Sequence, residues 1–257
     1  MKGDESLVIL ETPRDAIQSH KSPLSVISKK EILFEYLLTL LDCGFDFVDV
    51  GSIVSYRAVP AMSYTPEFLA LLNSKEKKWK SKIVVLTGSY EKAISINTLA
   101  PVDYLAYPFS VSPTFLMKNL RKTPQDALKE ISRLYEFARL NGKGLIIYIS
   151  MAFGNPYGDE FSSIILIKYI DSILKIAPGV LISLADTTSF ATSAQIRSIL
   201  KEVTSIFDSR IFGVHLHTHP AIASEKIDAE LESGINWLDS AMGGYCLLYT
   251  SPSPRDR

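Results

Sequence analysis

Short runs of apolar, β-branched and aromatic residues alternate along this chain with longer stretches in which apolar positions recur every three or four residues. The first kind of run reads as a buried strand and the second as an amphipathic helix. Strands are predicted over Leu7 to Glu11, Asp46 to Val50, Ile83 to Thr87, Tyr104 to Tyr107, Leu145 to Ser150, Val180 to Leu184, Phe212 to His217 and Trp237 to Ser240. Helices are predicted over Lys29 to Asp42, Glu67 to Asn73, Tyr90 to Thr98, Thr123 to Leu140, Glu160 to Ile176, Ser193 to Phe207 and Ile222 to Ser233. In the first of these, Ile32, Leu33, Tyr36, Leu37 and Leu40 form one stripe. Thr123-Pro124 supplies an N-cap followed by proline at the first helical position. Eight strands in regular alternation with helices favour an α/β fold closed as a TIM (β/α)8 barrel. No G-x-G-x-x-G follows the first strand to suggest an open dinucleotide-binding sheet.

The pattern implies one domain over residues 1–245. Its last strand runs into Met242-Gly243-Gly244-Tyr245 without a following helical stretch, so a barrel lacking its eighth helix and C-terminal region is expected. Cys246 to Arg257 reads as a tail, either non-native, in the manner of a translated sequencing adapter, or a Ser/Pro-rich disordered end.

Composition narrows the class. Of 257 residues 47% are hydrophobic, enough for a sizeable core. With 27 basic and 28 acidic residues the net charge is −1, which gives no reason to expect nucleic acid or an anionic membrane as partner. Cys43 and Cys246 are too few for a disulfide framework, and neither lies in a C-x-x-C pattern. The opening Met1-Lys2-Gly3-Asp4-Glu5 is unlike a signal or transit peptide, and the longest apolar run, Leu145 to Phe153, is too short to span a bilayer. A cytoplasmic protein is expected.

In a parallel barrel, function collects at the C-terminal ends of the strands. Polar residues that interrupt the apolar pattern fall there: Glu11, Arg14 and Asp15 after strand one, Asp49 and Ser52 at strand two, Ser150 and Asn155 at strand five, Asp186 and Thr187 at strand six, and His215 and His217 on strand seven. Residues two apart on a strand face the same way, so His215 and His217 can converge on one ion. With the carboxylate of Asp15 they suit a transition metal or, with added oxygen ligands, Mg²⁺ or Mn²⁺. The alternative is a pair of hydrogen-bonded histidines inside the barrel. Arg14 supplies fixed donors for an oxyanion or carboxylate. Asp186 reads equally as an N-cap, and Asn155-Pro156-Tyr157-Gly158 as a turn.

Five ordered motifs now carry a resemblance. They are Pro13-Arg14-Asp15-Ala16-Ile17-Gln18, Gly51-Ser52-Ile53-Val54-Ser55 running on to Pro60 and Met62, Tyr148 to Gly158, Leu184-Ala185-Asp186-Thr187, and Gly213-Val214-His215-Leu216-His217-Thr218. From Leu7 to about Tyr245 the chain resembles the 3-hydroxy-3-methylglutaryl-CoA lyases, among the metal-dependent aldolase and Claisen-type barrels. The resemblance implies cleavage of that CoA thioester to acetyl-CoA and acetoacetate, as in leucine degradation and ketone-body formation. By the same resemblance Asp15, His215 and His217 hold a divalent metal, and Arg14 stabilises the thioester enolate. Either His215 or Asp186 takes the hydroxyl proton, and Asp49 orients Arg14. Gln18 and Ser52 shape the site, and Ser150, Asn155 and Thr187 are candidate substrate contacts. A homo-oligomer is a further expectation.

The chain also departs from that family. A Gly-Gly-Cys-Pro loop with a cysteine acid, and a later asparagine that completes the metal shell, are both missing. Tyr56, Arg57 and Ala61 stand where proline, lysine and glutamine are common. The chain is therefore expected to be weakly active or inactive. One rival is a condensing relative of the isopropylmalate, citramalate or homocitrate synthase kind, which usually reads His-x-His-Asn-Asp rather than His215-Leu216-His217-Thr218. The other is a fragment without catalysis.

Overall fold

The computed structural model describes residues 6–18, 30–57, 59–96 and 99–242. Eight parallel strands close into one barrel in chain order: β1 (Val8–Glu11), β2 (Phe47–Ile53), β3 (Lys82–Thr87), β4 (Tyr104–Ser110), β5 (Gly144–Ser150), β6 (Leu181–Asp186), β7 (Phe212–Leu216) and β8 (Trp237–Ser240). Closure is direct, with Val8 to Glu11 paired in parallel with Trp237 to Ser240. Strands covered on both faces need unbroken apolar runs, and β5, Gly-Leu-Ile-Ile-Tyr-Ile-Ser, is buried from its second residue to its last.

The helices around the barrel are α1 (Pro13–Gln18), α2 (Lys30–Cys43), α3 (Thr65–Ser74), α4 (Tyr90–Ile94), α5 (Pro113–Leu120), α6 (Pro124–Leu140), α7 (Ser163–Ile176), α8 (Ser193–Ile206) and α9 (Pro220–Leu231). Their starts are chemically marked. Ser112, Thr123, Ser162 and Thr192 each accept a backbone N–H in the first turn, and Thr192 forms a capping box with Gln195. Each then buries one stripe. In α6 this is Ala127, Ile131, Leu134 and Ala138, a spacing of three and four residues that places all four against the sheet.

Three expectations shift. In α2 the buried stripe is Leu33, Phe34, Leu37, Leu40 and Leu41, while Ile32 and Tyr36 are exposed. So many positions of this helix are apolar that periodicity alone leaves its rotation open. The Phe34 ring settles it by packing 5.1 Å from Phe68 and 6.2 Å from Tyr64. Next, α4 ends at Ile94, short of the predicted Thr98, because Ser95 and Ile96 turn back on Lys92 and Ala93. Finally, α5 had no counterpart in the sequence pattern, although Ser112-Pro113 is a cap and first-turn pair of the same kind as Thr123-Pro124. The expected missing helix and the 246–257 tail lie outside the described residues. Among the described residues no helix is long and apolar enough to cross a membrane.

Two details fix the wall on the side of β6 to β8. Gly213 on β7 lies under Trp237 of β8, and a Cβ at this glycine would meet the indole at 2.5 Å. The indole cannot retreat freely, since it stacks on Phe47 with ring centres 5.7 Å apart. Behind the mouth, Lys226 of α9 places its Nζ 2.9 Å from Asp186 Oδ2, with both side chains 2% exposed. The same carboxylate accepts the backbone N–H groups of Phe190 and Ala191, so Asp186 ties the loop after β6 to α9.

Gly213→Ala is expected to cost about 1–3 kcal/mol by overpacking, read from the midpoint of chemical denaturation. Gly88→Ala, where the nearest side-chain atom would be 3.6 Å away, serves as the near-neutral control. Lys226→Met should cost about 3–5 kcal/mol, because it leaves the Asp186 carboxylate buried opposite an apolar chain. A loss below about 1 kcal/mol in the same denaturation series would count against this ion pair as a wall tie.

Candidate active site and metal centre

The end of β1 delivers the first candidate ligand. Thr12 bonds through both its N–H and its hydroxyl to the Ser240 carbonyl, which pins the exit of β1 to β8. Pro13 then opens the short helix α1, and its first turn carries Arg14 and Asp15 inward, 6% and 8% exposed. On the opposite wall His215 lies on β7, and His217 follows just past the strand's last residue. Its N–H still bonds to the Asp186 carbonyl at 3.3 Å, which carries the extended geometry two residues on from His215.

Three ligand atoms therefore converge. His215 Nε2 lies 3.1 Å from His217 Nε2 and 3.3 Å from Asp15 Oδ2, and His217 Nε2 lies 3.5 Å from that same oxygen. All three residues are buried. Neighbouring ligands around an ion bound at about 2.0–2.2 Å stand about 3.0 Å apart at right angles and about 3.4 Å apart at tetrahedral angles. The cluster has that spacing, and two imidazoles with a carboxylate form a donor set for a divalent cation. Asp15 and Asp49 flank the Arg14 guanidinium and Asp239 stands behind His215, an excess of acidic groups that a cation would relieve.

Arg14 is held on two sides. Its Nε and Nη2 donate to Asp49 Oδ2 at 2.8 and 2.7 Å, and its Nη1 donates to Asp15 Oδ1 at 3.0 Å. Burial works against the charge on Arg14, but Asp49 and Asp15 outweigh it and hold the group protonated well above its ordinary range. For Asp15, burial favours the neutral acid. The Arg14 charge, the His215 hydrogen bond and the neighbouring His217 outweigh it, and the carboxyl titrates well below the usual range. Burial pushes the Asp49 carboxyl up while Arg14 pulls it back. Burial, with the charges of Asp239 and Asp49 adding to it, also raises the Tyr148 hydroxyl well above a free phenol.

The predicted residues divide into two sets. Arg14, Gln18 and Ser150 line one cavity of about 120 Å³ at the mouth, together with Phe115 and Asn119. Asp49 and Ser52 are fully buried on β2, where Ser52 N–H donates to Thr65 Oγ1. The other candidates have partners outside the three converging side chains or none among the described residues. Asp186 is engaged by Lys226 and two backbone amides. Asn155 accepts the N–H groups of Tyr157 and Asp159 and donates to the Asp159 carbonyl, so it holds its own turn, as its turn chemistry suggested. Thr187 is half-buried, and its hydroxyl has no partner among the described residues. Arg57 is exposed, and Ala61 is buried against the core.

The structure adds two residues to the set. Asp239 on β8 meets His215 Nδ1 at 2.9 Å, and the Tyr148 ring stands edge-on to His215 at 5.7 Å. Asp239 was within reach of sequence reasoning, since a carboxylate near the end of an apolar strand is the same signal that picked out Asp49 and Asp186. Tyr148 carried no such signal, because a tyrosine among isoleucines passes for ordinary core. Buried oxygens of Asp49, Ser52, Tyr148 and Asp239 have no hydrogen-bond partner among the described residues. Orphaned polar atoms in this number beside a ligand cluster suit a polar ligand or water.

The HMGL-like family matches residues 8–246. A curated Pseudomonas aeruginosa protein, the 3-hydroxy-3-isohexenylglutaryl-CoA/hydroxy-methylglutaryl-CoA lyase, is 25% identical over 232 residues, which is 90% of this chain and 74% of the relative. The (R)-citramalyl-CoA lyase of Chloroflexus aurantiacus is 24% identical over 247 residues, covering 93% and 76%. Among solved structures, an HMG-CoA lyase from Acinetobacter baumannii in complex with coenzyme A and 3-methylmalate superposes with a TM-score of 0.81 at 23% identity, covering 98% of this chain and 80% of that one. At that identity the superposition speaks for the fold. A sequence match that runs from the first strand to beyond the last leaves no part of the barrel unaccounted for, and the chain belongs to the HMGL-like family, whose curated relatives here are carbon–carbon lyases.

Proposed function

We propose that this protein catalyses the divalent-metal-dependent retro-Claisen cleavage of 3-hydroxy-3-methylglutaryl-CoA to acetyl-CoA and acetoacetate. The observation that carries the reading is the convergence of Asp15, His215 and His217 beside an arginine that opens on a cavity. Those three residues would hold Mg²⁺ or Mn²⁺. A bound cation supplies Lewis acidity, orienting the substrate's hydroxyl and carboxylate oxygens and making the hydroxyl easier to deprotonate.

The remaining roles fall to the chain itself. As the carbon–carbon bond breaks, negative charge moves onto the thioester oxygen, and a fixed donor aimed there stabilises it. Arg14 suits this role, because Asp49 and Asp15 hold its guanidinium rigid and its side chain lines the mouth cavity with Gln18 and Ser150. The hydroxyl proton needs an acceptor. Asp186 is the poorer candidate, since it already accepts from Lys226 and two backbone amides and its protonation would leave Lys226 buried without its counter-charge. His215 offers Nε2, the ring nitrogen that Asp239 does not engage, and that atom would take the proton only when it is not holding the cation. The relatives named for isohexenylglutaryl-CoA and citramalyl-CoA support a CoA thioester as substrate and leave the acyl group to be chosen by assay.

Purified protein saturated with Mg²⁺ or Mn²⁺ is expected to release acetoacetate from 3-hydroxy-3-methylglutaryl-CoA above the level of an Arg14→Ala control, and to lose that activity on chelation. Pyruvate from citramalyl-CoA, with no acetoacetate from the first substrate, would reassign the acyl group. No turnover of either would overturn the reading.

Arg14→Lys keeps the charge but loses the planar fork that bonds Asp49 through two nitrogens. Its kcat should fall about a hundred- to a thousand-fold, with KM moving far less. A KM effect alone in steady-state kinetics would mean that Arg14 binds the ground state only.

A further inference from the structure

We propose that Asp239 is a positioning residue that holds the His215 ring as its Nδ1–H tautomer and so aims Nε2 at the Asp15–His217 cluster. The inference rests on the reading of that cluster as a metal centre and adds a residue to it. Asp239 is not itself one of the converging ligands, which are Asp15, His215 and His217.

The sheet sets the pair. Val214 of β7 is in register with Leu238 of β8, so the next residues along, His215 and Asp239, stand side by side on neighbouring strands. The Asp239 side chain is 1% exposed, and its Oδ2 lies 2.9 Å from His215 Nδ1. The same oxygen accepts the hydroxyl of Ser183 on β6 at 3.1 Å, so the carboxylate is anchored from the strand on the far side of β7. A carboxylate at this distance accepts, and the ring nitrogen facing it must therefore carry the proton. A neutral imidazole with Nδ1 protonated keeps its lone pair on Nε2, the atom that faces His217 Nε2 and Asp15 Oδ2. Tyr148 and His217 stand at 69° and 68° to the His215 ring, and they resist its rotation. A carboxylate behind a metal-binding histidine fixes tautomer and orientation, and its removal typically weakens metal affinity by about 10- to 100-fold.

The test uses the full chain without substrate. In ¹⁵N-histidine-labelled protein, long-range ¹H–¹⁵N spectra taken at about pH 9, where imidazole is ordinarily neutral, should show His215 protonated at Nδ1. Asp239→Ala should lose that signature and weaken Mn²⁺ binding, followed by electron paramagnetic resonance, by about 10- to 100-fold. Asp239→Asn keeps an acceptor oxygen toward Nδ1 and can turn its amide toward Ser183. It should restore the tautomer and most of the affinity, which a variant damaged only in packing would not. An Nε2–H tautomer in the parent, or Mn²⁺ affinity unchanged in a folded Asp239→Ala, overturns the proposal. A parent that binds no Mn²⁺ yet loses the tautomer in Asp239→Ala would sink the metal reading and leave the tether standing.

Discussion

The closure of β8 onto β1 is the constraint on which the site depends. It is made by four residue pairs, and the Ser240 and Met242 backbone and side-chain groups then add bonds to Thr12 and Glu11. Glu11 receives the Ser240 hydroxyl on one carboxylate oxygen and the Met242 N–H on the other, so an acidic residue at the strand exit serves as a clasp. Closing a parallel sheet leaves no unpaired edge, and it sets how far the exit of β1 stands from that of β7. Asp15 and His215 meet only because this distance is right.

Charge at the mouth is arranged in two buried systems with different work. Arg14, Asp49 and Asp15 form one, facing the cavity. Asp186 and Lys226 form the other, inside the wall between the β6 loop and α9. Buried ions are costly unless their hydrogen-bonding capacity is met. Asp186 meets it with an ammonium and backbone amides, whereas Asp49 keeps one oxygen without a partner among the described residues. The satisfied system is suited to holding structure and the unsatisfied one to receiving a ligand. Asp186 and Asp49 are alike in sequence context, each a carboxylate within or at the end of an apolar strand, and their neighbours separate them.

Much of this is legible in the sequence. Parallel strands buried on both faces show as apolar runs, so all eight were found, and the polar residues that end them marked the mouth. The H-x-H pair at the end of β7 and the Arg-Asp pair after β1 followed from the same reasoning. What escaped depends on contacts distant in sequence. Lys226 looks like any helix lysine until Asp186 is seen beneath it. The rotation of α2 depends on where Phe34 finds Phe68, and the importance of Asp239 depends on the register of β7 with β8. Boundaries moved for local reasons. β2 runs on to Ile53 through an irregularity between Asp49 and Gly51, which periodicity cannot foresee.

The wide sequence spacing of the candidate ligands bears on how the protein is made. Asp15 and His215 are separated by 200 positions. On the ribosome, most of the barrel has been synthesised before the second and third ligands exist, and domains begin to organise as they emerge. A cation held by these residues cannot template the early βα units of such a chain, and their assembly relies on apolar burial, strand pairing and helix caps. A bound cation would act afterwards, on the finished fold, where binding to the native state holds down the unfolded fraction by mass action. Metal supply in the cell would then act on how long the folded enzyme lasts, and hardly at all on the route by which it forms.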